Sequence, residues 1–164
     1  MAVARPPRRC RVMAEEIAAV SADQPAPGGG RLSDDPAFAR KLADARIRTE
    51  VLEILEYRVL AAVAEGKNPG PASSMLKVLA TELSQSLTEL AMEAAGPRGR
   101  AYQPHATWPG GPVSDFEPPP DGYVSGDAWQ AVAPLRYFND RAGSIYAGSN
   151  EIQRNILAKA VLGL

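Results

Sequence analysis

Hydrophobic residues between positions 35 and 65 recur at intervals of three and four. One row contains Phe38, Leu42, Ala45, Thr49, Leu52, Val59 and Val63, and a second contains Ile47, Val51, Ile54 and Leu55. So wide an apolar stripe predicts a helix that packs on two sides. Asp35 followed by Pro36 is typical of a helix start, because the carboxylate caps free N–H groups and proline suits the first helical position. Gly66 predicts the end.

A second helix is predicted after Gly70 and Pro71. Its core face contains Met75, Leu76, Leu79, Leu83, Leu87 and Leu90. The polar residues of the same segment, which are Thr81, Glu82, Gln85 and Glu89, are predicted to face elsewhere. Gly96 and Pro97 predict its end. Two long helices joined by a short Pro/Gly turn indicate an antiparallel helical hairpin.

The region 128–164 is again predicted to be mostly helical, with an interruption at Gly148 and Ser149. Ser149 is a plausible cap for a last helix, in which Ile152, Ile156 and Ala160 repeat. No segment alternates convincingly with period two, so the predicted fold is all-α.

The start of the chain lacks such a pattern. Residues 1–11 contain Arg5, Arg8, Arg9 and Arg11 and no acidic residue, which favours a disordered basic start over a transit peptide. Residues 12–20 are interpreted as a short helix or the end of a longer one, and 22–32 as a flexible linker. No apolar segment typical of a secretory signal follows, so we expect a cytoplasmic protein. Residues 97–126 form a Pro/Gly-rich loop.

Composition narrows the function classes. The 164 residues suit one domain, and 18 Lys+Arg against 19 Asp+Glu give no reason to expect a nucleic-acid partner. One Cys and one His exclude an internal disulfide and a zinc site needing several such ligands from this chain, and we predict no metal. No apolar run is long enough for a membrane span.

A glycine-bearing turn leads into the last helix at Gly148. Free N–H groups and the positive end of the helix dipole meet there, which favours an anion or phosphate site. The alternative from the residues alone is an ordinary helix cap formed by Ser149.

The run 141–156 closely resembles the C-terminal signature of the acyl-CoA dehydrogenase family. A second match covers residues 72–77, continues through Glu82 and 88–91, and leads to the glycine-rich turn at Gly96. The resemblance implies an up-down helical bundle of the family's C-terminal domain type over 34–164, after a basic start and linker at 1–33. The domain's first helix is not recognisable, so we expect a bundle that is incomplete at its N-terminal side and has an open apolar groove.

The resemblance also implies site residues. The positions that match FAD contacts are Ser149, Asn150 and Glu151. Those beside the substrate thioester are Tyr146, Ala147 and Gly148. The turn that matches contacts with the FAD of a neighbouring subunit contains Glu93, Gly96, Pro97 and Gly99.

Two departures from the family's pattern bear on chemistry. Much of the family has a Glu at the position of Ala147, where it is the general base, and a methyl group accepts no proton. We therefore identify no catalytic residue, although the N–H of Ala147 is still available to the thioester oxygen. Pro97 has no N–H to offer a phosphate.

The remaining polar and aromatic candidates have simpler interpretations. Glu50, Glu53 and Glu56 lie at helical spacing and indicate a solvated or ion-paired face, with a relocated base as the alternative. Cys10 is expected to be inert, His105 to be exposed, and Trp108 to anchor the long loop. Trp129, Tyr137 and Phe138 are expected to pack in the core.

The resemblance predicts part of a flavin-dependent acyl-CoA dehydrogenase, with FAD as cofactor and an acyl-CoA thioester as substrate. We expect a homo- or hetero-oligomer with acyl-CoA dehydrogenase chains, and no activity from this chain alone. The alternatives are a non-catalytic oligomerisation module and a truncated remnant of such an enzyme.

Overall fold

The computed structural model describes residues 6–103 and 125–163. Within these ranges the α-helices are α1 (Pro6–Ser21), α2 (Pro36–Ala64), α3 (Ala72–Ala95), α4 (Ala128–Asp140) and α5 (Asn150–Leu157). A π-helical turn, Ala158–Leu162, continues α5. The only β feature among the described residues is an isolated bridge between Pro25 and Arg31. The predicted all-α bundle is confirmed.

The predicted boundaries of α2 and α3 agree with the structure. Asp35 caps α2, and its carboxylate accepts hydrogen bonds from the N–H groups of Ala37 at 3.0 Å and Phe38 at 2.8 Å. Helix α3 ends at Gly96, whose φ of 58° is readily adopted only by glycine. The helical hairpin of α2 and α3 therefore forms as its capping and terminating residues predict.

Helix α1 corrects the prediction of a disordered start, which is wrong over residues 6–11. The arginines 8, 9 and 11 lie on its exposed face, whereas Cys10, Met13 and Ile17 are buried at spacings of three and four. These side chains join the core formed by α2 and α3. A first helix therefore packs on the hairpin, and it extends the helix expected at 12–20 back to Pro6.

Helix α2 buries its first predicted apolar row only as far as Leu52, and Val63 near its end is exposed. Phe38 and Leu52 are each 1% exposed. Ile47, Val51 and Ile54 of the second row are 62%, 55% and 61% exposed. Helix α2 thus packs against two helices, α1 and α3, but its second apolar row stays exposed among the described residues.

The aromatic residues of α4 also differ from expectation. Trp129 packs against the core, but Phe138 is 58% exposed and makes edge-on contacts with Tyr102 and Tyr137. The prediction that Phe138 packs in the core is wrong, because it lies on the outer face of α4.

The long Pro/Gly-rich loop is closed at its base by a side chain. The Gln103 amide donates to the Ser125 carbonyl at 3.1 Å and accepts from the Ser125 N–H at 2.7 Å. His105 and Trp108 lie outside the described residues, so the expectations for them stay predictions.

Candidate functional site

The connection between α4 and α5 has an unusual backbone. Ala147 has φ of 56° and Gly148 has φ of 83°, so two successive residues are left-handed. Ala147 is the only non-glycine residue with positive φ in the part of the chain that the structure describes. An L-residue in this conformation costs roughly 1 kcal/mol. The surrounding contacts must therefore hold the turn in place.

The first anchor of this turn is Asp140, which is 5% exposed at the end of α4. Its carboxylate accepts hydrogen bonds from the Ser84 hydroxyl and, at 2.6 Å, from the Arg9 guanidinium. Gln85 donates to the Asp140 carbonyl at 3.0 Å. Helices α1 and α3 thus both fix the point where the connection begins.

Arg141 extends the first anchor along α3. Its guanidinium donates to the Gln85 carbonyl and to the Thr88 hydroxyl, each at 3.1 Å, and to the Glu89 carboxylate at 2.9 Å. The same group stacks over the Tyr137 ring, 4.4 Å from its centroid. An arginine with this many partners has little freedom, so the backbone that follows it starts from a fixed position.

The second anchor is Asn150, which is 3% exposed at the start of α5. The Lys77 ammonium donates to its Oδ1 at 2.7 Å, and its Nδ2 donates to the Thr81 hydroxyl at 3.1 Å. Both partners lie one turn apart on α3. The left-handed residues therefore lie between two anchors on the same helix.

We call the α3 residues that make these contacts the polar seam: Lys77, Thr81, Ser84, Gln85 and Thr88. Sequence reasoning interpreted Thr81 and Gln85 only as facing away from the core. The signal that could have found the seam is the helical spacing of these polar residues, which repeats at three and four like an apolar stripe.

The N-terminus of α5 is satisfied by the chain itself. The Ser149 hydroxyl accepts from the Ile152 N–H at 3.5 Å, as its predicted cap role requires. The Glu151 carboxylate accepts from its own N–H and from the Ser149 hydroxyl, which lowers the pKa of Glu151. The structure therefore favours the alternative interpretation of this helix start, a cap formed by Ser149, and places the Glu151 carboxylate in the same first turn.

Apolar side chains surround the turn on its solvent side. Ile145, Tyr146 and Ile152 are 69%, 59% and 53% exposed. The N–H of Ala147 donates no hydrogen bond within the described residues. A free backbone donor beside exposed apolar surface suits a flat or extended ligand that carries a carbonyl oxygen.

The second predicted turn follows α3. Glu93 accepts two hydrogen bonds from the Lys41 ammonium, at 2.8 and 2.9 Å. Gly99 is buried, and a Cβ there would approach the Ala95 Cβ to 2.4 Å, so only glycine fits. The structure thus explains Gly99 by packing.

The two groups of predicted site residues are far apart in one copy of the chain. Asn150 contacts Lys77, whereas Gly96 ends α3. Lys77 and Gly96 are nineteen positions apart, which at a helical rise of about 1.5 Å corresponds to about 28 Å. The structure brings residues 146–151 together, but it does not bring Glu93, Gly96 and Gly99 to them.

Glu53 favours the ion-paired interpretation of the acidic face of α2. Both of its carboxylate oxygens accept hydrogen bonds from Arg11, which lowers the pKa of Glu53. A carboxylate held ionised in this way is a weaker base, so nothing here supports Glu53 as a relocated proton acceptor.

A separate apolar cavity of about 400 Å³ lies between α1, α3 and α4. Its lining includes Met13, Ile17, Trp129 and Val132, together with the ion pair between Glu16 and Arg136 at 3.1 Å. None of the site residues predicted from the sequence lines it. Sequence reasoning missed this cavity because it expected a helix at 12–20 without predicting how that helix packs on α3 and α4.

Two searches of the described residues gave negative results. No cluster of three or more His, Cys, Asp or Glu side chains in 6–103 and 125–163 has an arrangement able to hold a metal ion. In the same ranges, no helix combines the length and the apolar character that crossing a bilayer requires.

Comparison with known proteins identifies related sequences. A sequence model described as acyl-CoA dehydrogenase, C-terminal domain, matches residues 1–162. The acyl-CoA dehydrogenase IpdE1 of Mycobacterium tuberculosis is 34% identical over 135 residues, which are 80% of this chain and 28% of that protein. IpdE1 of Mycolicibacterium smegmatis is 30% identical over 132 residues, again 80% of this chain and 26% of that protein. The chain thus spans less than a third of these relatives.

Solved structures show the same fold. The ChsE4–ChsE5 complex from Mycobacterium tuberculosis matches with a TM-score of 0.68 and 23% identity, over 96% of this chain and 36% of that chain. A FAD complex of PigA matches with a TM-score of 0.70 and 16% identity, over 94% of this chain and 33% of that chain. At these identities the likeness shows the fold alone.

Proposed function

Because this chain belongs to the acyl-CoA dehydrogenase family through that family's C-terminal domain, we propose that it forms part of a flavin-dependent acyl-CoA dehydrogenase. Such an enzyme removes hydrogen from the α and β carbons of an acyl-CoA thioester. The observation that carries the proposal is the turn at Ala147 and Gly148, a strained backbone fixed by two anchors on α3. Strain maintained by surrounding contacts is typical of ligand sites.

The turn fits the ring system of FAD better than its diphosphate. Tyr146 and Ile152 provide exposed apolar surface, and Ser149 provides a hydroxyl at its edge. Glu151 carries a negative charge in the first turn of α5, which disfavours a second anion at that helix end. Bound there, FAD would supply the acceptor for the β-hydrogen as hydride. We propose Ser149, Asn150 and Glu151 as the residues that hold it, Ser149 and Glu151 by contact and Asn150 by fixing the turn, because its buried amide is engaged by Lys77 and Thr81.

The N–H of Ala147 is proposed to hold the thioester oxygen, beside Tyr146 and Gly148. It donates to no acceptor within the described residues, so it is available to a ligand. A hydrogen bond to the carbonyl stabilises the negative charge that develops when the α-proton leaves. Ala147 itself accepts no proton, and Glu151 is engaged with Ser149. We therefore expect the base to come from outside this turn.

The distance along α3 supports an assembly of at least two chains. The turn at Gly96 and Gly99 is about 28 Å along the helix from the Asn150 anchor, which places it beyond the site in its own copy. We propose that Glu93, Gly96 and Gly99 contact a second FAD in a homo- or hetero-oligomer with acyl-CoA dehydrogenase chains. The ChsE4–ChsE5 structure, alike in fold, is itself a complex of two named chains.

The experiment is flavin retention by the chain and by complexes isolated with it. The tagged chain is purified from its native source and, separately, as a recombinant protein incubated with FAD and desalted. We expect visible flavin absorbance in one of the two samples, and loss of that absorbance when Ser149 is replaced by Ala. Absence of flavin from both samples would overturn the proposal.

A cofactor-free oligomerisation module is the second candidate, favoured by the exposed row of Ile47, Val51 and Ile54 on α2. Under this second candidate function, assembly depends on the exposed row of α2 and not on the turn at Ala147 and Gly148. Replacing Ile54 with Glu would then dissociate the assembly, whereas Ser149→Ala would change neither assembly nor any bound group.

A further inference from the structure

We propose that Lys77 is a positioning residue, which fixes the turn at Ala147 and Gly148 through the side chain of Asn150. The consequence for ligand binding rests on the proposed function, but the positioning itself rests on contacts within the chain. The Lys77 ammonium donates to Asn150 Oδ1 at 2.7 Å, the shortest of the contacts that hold this amide.

The hydrogen bonds of Asn150 indicate that Lys77 determines the orientation of its side-chain amide. The Thr81 hydroxyl has two acceptors on its own helix, the carbonyls of Lys77 at 3.0 Å and Val78 at 3.1 Å. Asn150 Oδ1 is a third and more distant acceptor for this proton, at 3.2 Å, so the ammonium at 2.7 Å is the main donor to Oδ1 while Thr81 accepts from Asn150 Nδ2. Without Lys77, a buried amide oxygen would lose its charged donor.

Loss of that donor would reach the backbone of the turn. Asn150 is the first residue of α5, and only Ser149 separates it from the two left-handed residues, Ala147 and Gly148. A buried polar group without a partner is costly, so the amide would rotate toward solvent and release Thr81 as well. Ala147 and Gly148 would then relax from a conformation that only their neighbours maintain.

The location of Lys77 argues against a role in helix stability alone. Its ammonium faces the N-terminal end of α5, where a positive charge is disfavoured by the helix dipole. The Glu151 carboxylate in the first turn offsets part of this repulsion, but it is fully exposed, so water weakens the attraction. The lysine is therefore explained by the strength of a charge-assisted hydrogen bond to Asn150.

Amide hydrogen exchange, followed residue by residue by NMR, tests the proposal in the full chain without cofactor. The reporters are three amides that flank the turn: Tyr146, which donates to the Ala142 carbonyl before it, and Ile152 and Gln153, which donate to Ser149 after it. In Lys77→Met we expect their exchange to be about tenfold faster. Lys77→Arg, which keeps a charged donor, should stay within about threefold of the wild-type rates.

A double-mutant cycle separates positioning from general destabilisation. If Lys77 acts through Asn150, the variant with both Lys77→Met and Asn150→Ala exchanges no faster than Asn150→Ala alone. Lys67→Met, which removes an exposed ammonium paired with Glu65, is the matched control and should change none of the reporters. The amide of Leu87, in the core of α3, should keep its protection in every variant.

Three results would overturn the proposal: reporter rates in Lys77→Met equal to those in Lys67→Met, independent effects that multiply in the double variant, or faster exchange at Leu87 as well. Flavin retention is measured on the same variants. If the exchange pattern holds while no sample retains flavin, the positioning stands and the proposed function fails. If flavin is retained while Lys77→Met leaves the reporters unchanged, the reverse is true.

Discussion

Arg9, in the first helix, donates a 2.6 Å hydrogen bond to the buried carboxylate of Asp140, 131 residues further along the chain. This contact joins α1 to the start of the connection that contains the candidate site. Ser84 of α3 is the other side-chain partner of the same carboxylate. The stability of α1 and the geometry of the site are therefore linked through Asp140.

Replacing Arg9 with Ala should lower the free energy of unfolding by about 1–2 kcal/mol, because it leaves a nearly buried charge with one neutral partner. Because the Arg9 side chain is about half exposed, we expect a smaller loss of stability than for a fully buried ion pair. Urea unfolding measures the change. Arg8→Ala, at an exposed neighbouring position, is the control, and equal values for the two variants would show that the contact does not stabilise the chain.

Ala147 gives a prediction about backbone strain. Ala→Gly in an ordinary segment costs roughly 0.5–1 kcal/mol through chain entropy, but at Ala147 relief of the left-handed strain offsets this by about 1 kcal/mol. We therefore expect Ala147→Gly to be nearly neutral in thermal unfolding, and Ala142→Gly, where φ is not positive, to destabilise. Equal destabilisation by both changes would contradict the left-handed conformation.

The sequence predicted the elements whose boundaries have chemical signals. Asp35 and Pro36 mark the start of α2, and Gly96 marks the end of α3. The structure confirms both boundaries. The first part of α1, residues 6–11, was missed because its arginines dominated the interpretation of that region, while Cys10, Met13 and Ile17 already had helical spacing. An interpretation based on composition ignores the spacing of apolar residues, which is the signal that identifies a helix.

The site was only partly readable in the same way. Resemblance indicated which residues form the turn, and Ser149 as a cap follows from its chemistry. The left-handed Ala147 could not be predicted, since alanine gives no signal for that conformation. The second apolar row of α2 looks the same in sequence whether it packs within the chain or is exposed, as Ile54 is here.

The pair of Glu53 and Arg11 predicts a pH dependence. The folded-state pKa of Glu53 lies below its ordinary value of 4.5, so the pair stabilises the fold above that pH. The contribution is lost as pH falls through the depressed folded-state value. Urea unfolding of the wild type and Glu53→Gln should differ most at neutral pH and converge in acid. A difference that persists at the acid end would contradict the pairing, and Glu56→Gln, on the same helix, is the matched control.

Cys10 tests whether α1 is packed as the structure shows. Burial raises the pKa of its thiol from 9.0 to about 11, and the side chain is 1% exposed. Because the thiolate is the reactive form, a thiol reagent at pH 8 should label the folded chain very slowly and the urea-unfolded chain quickly. The labelling rate should rise with urea along the unfolding curve. It should rise earlier in Arg9→Ala, because loss of the contact with Asp140 frees α1. Fast labelling of the folded wild-type chain would show that α1 detaches from the core, and would support the disordered start that the sequence predicts.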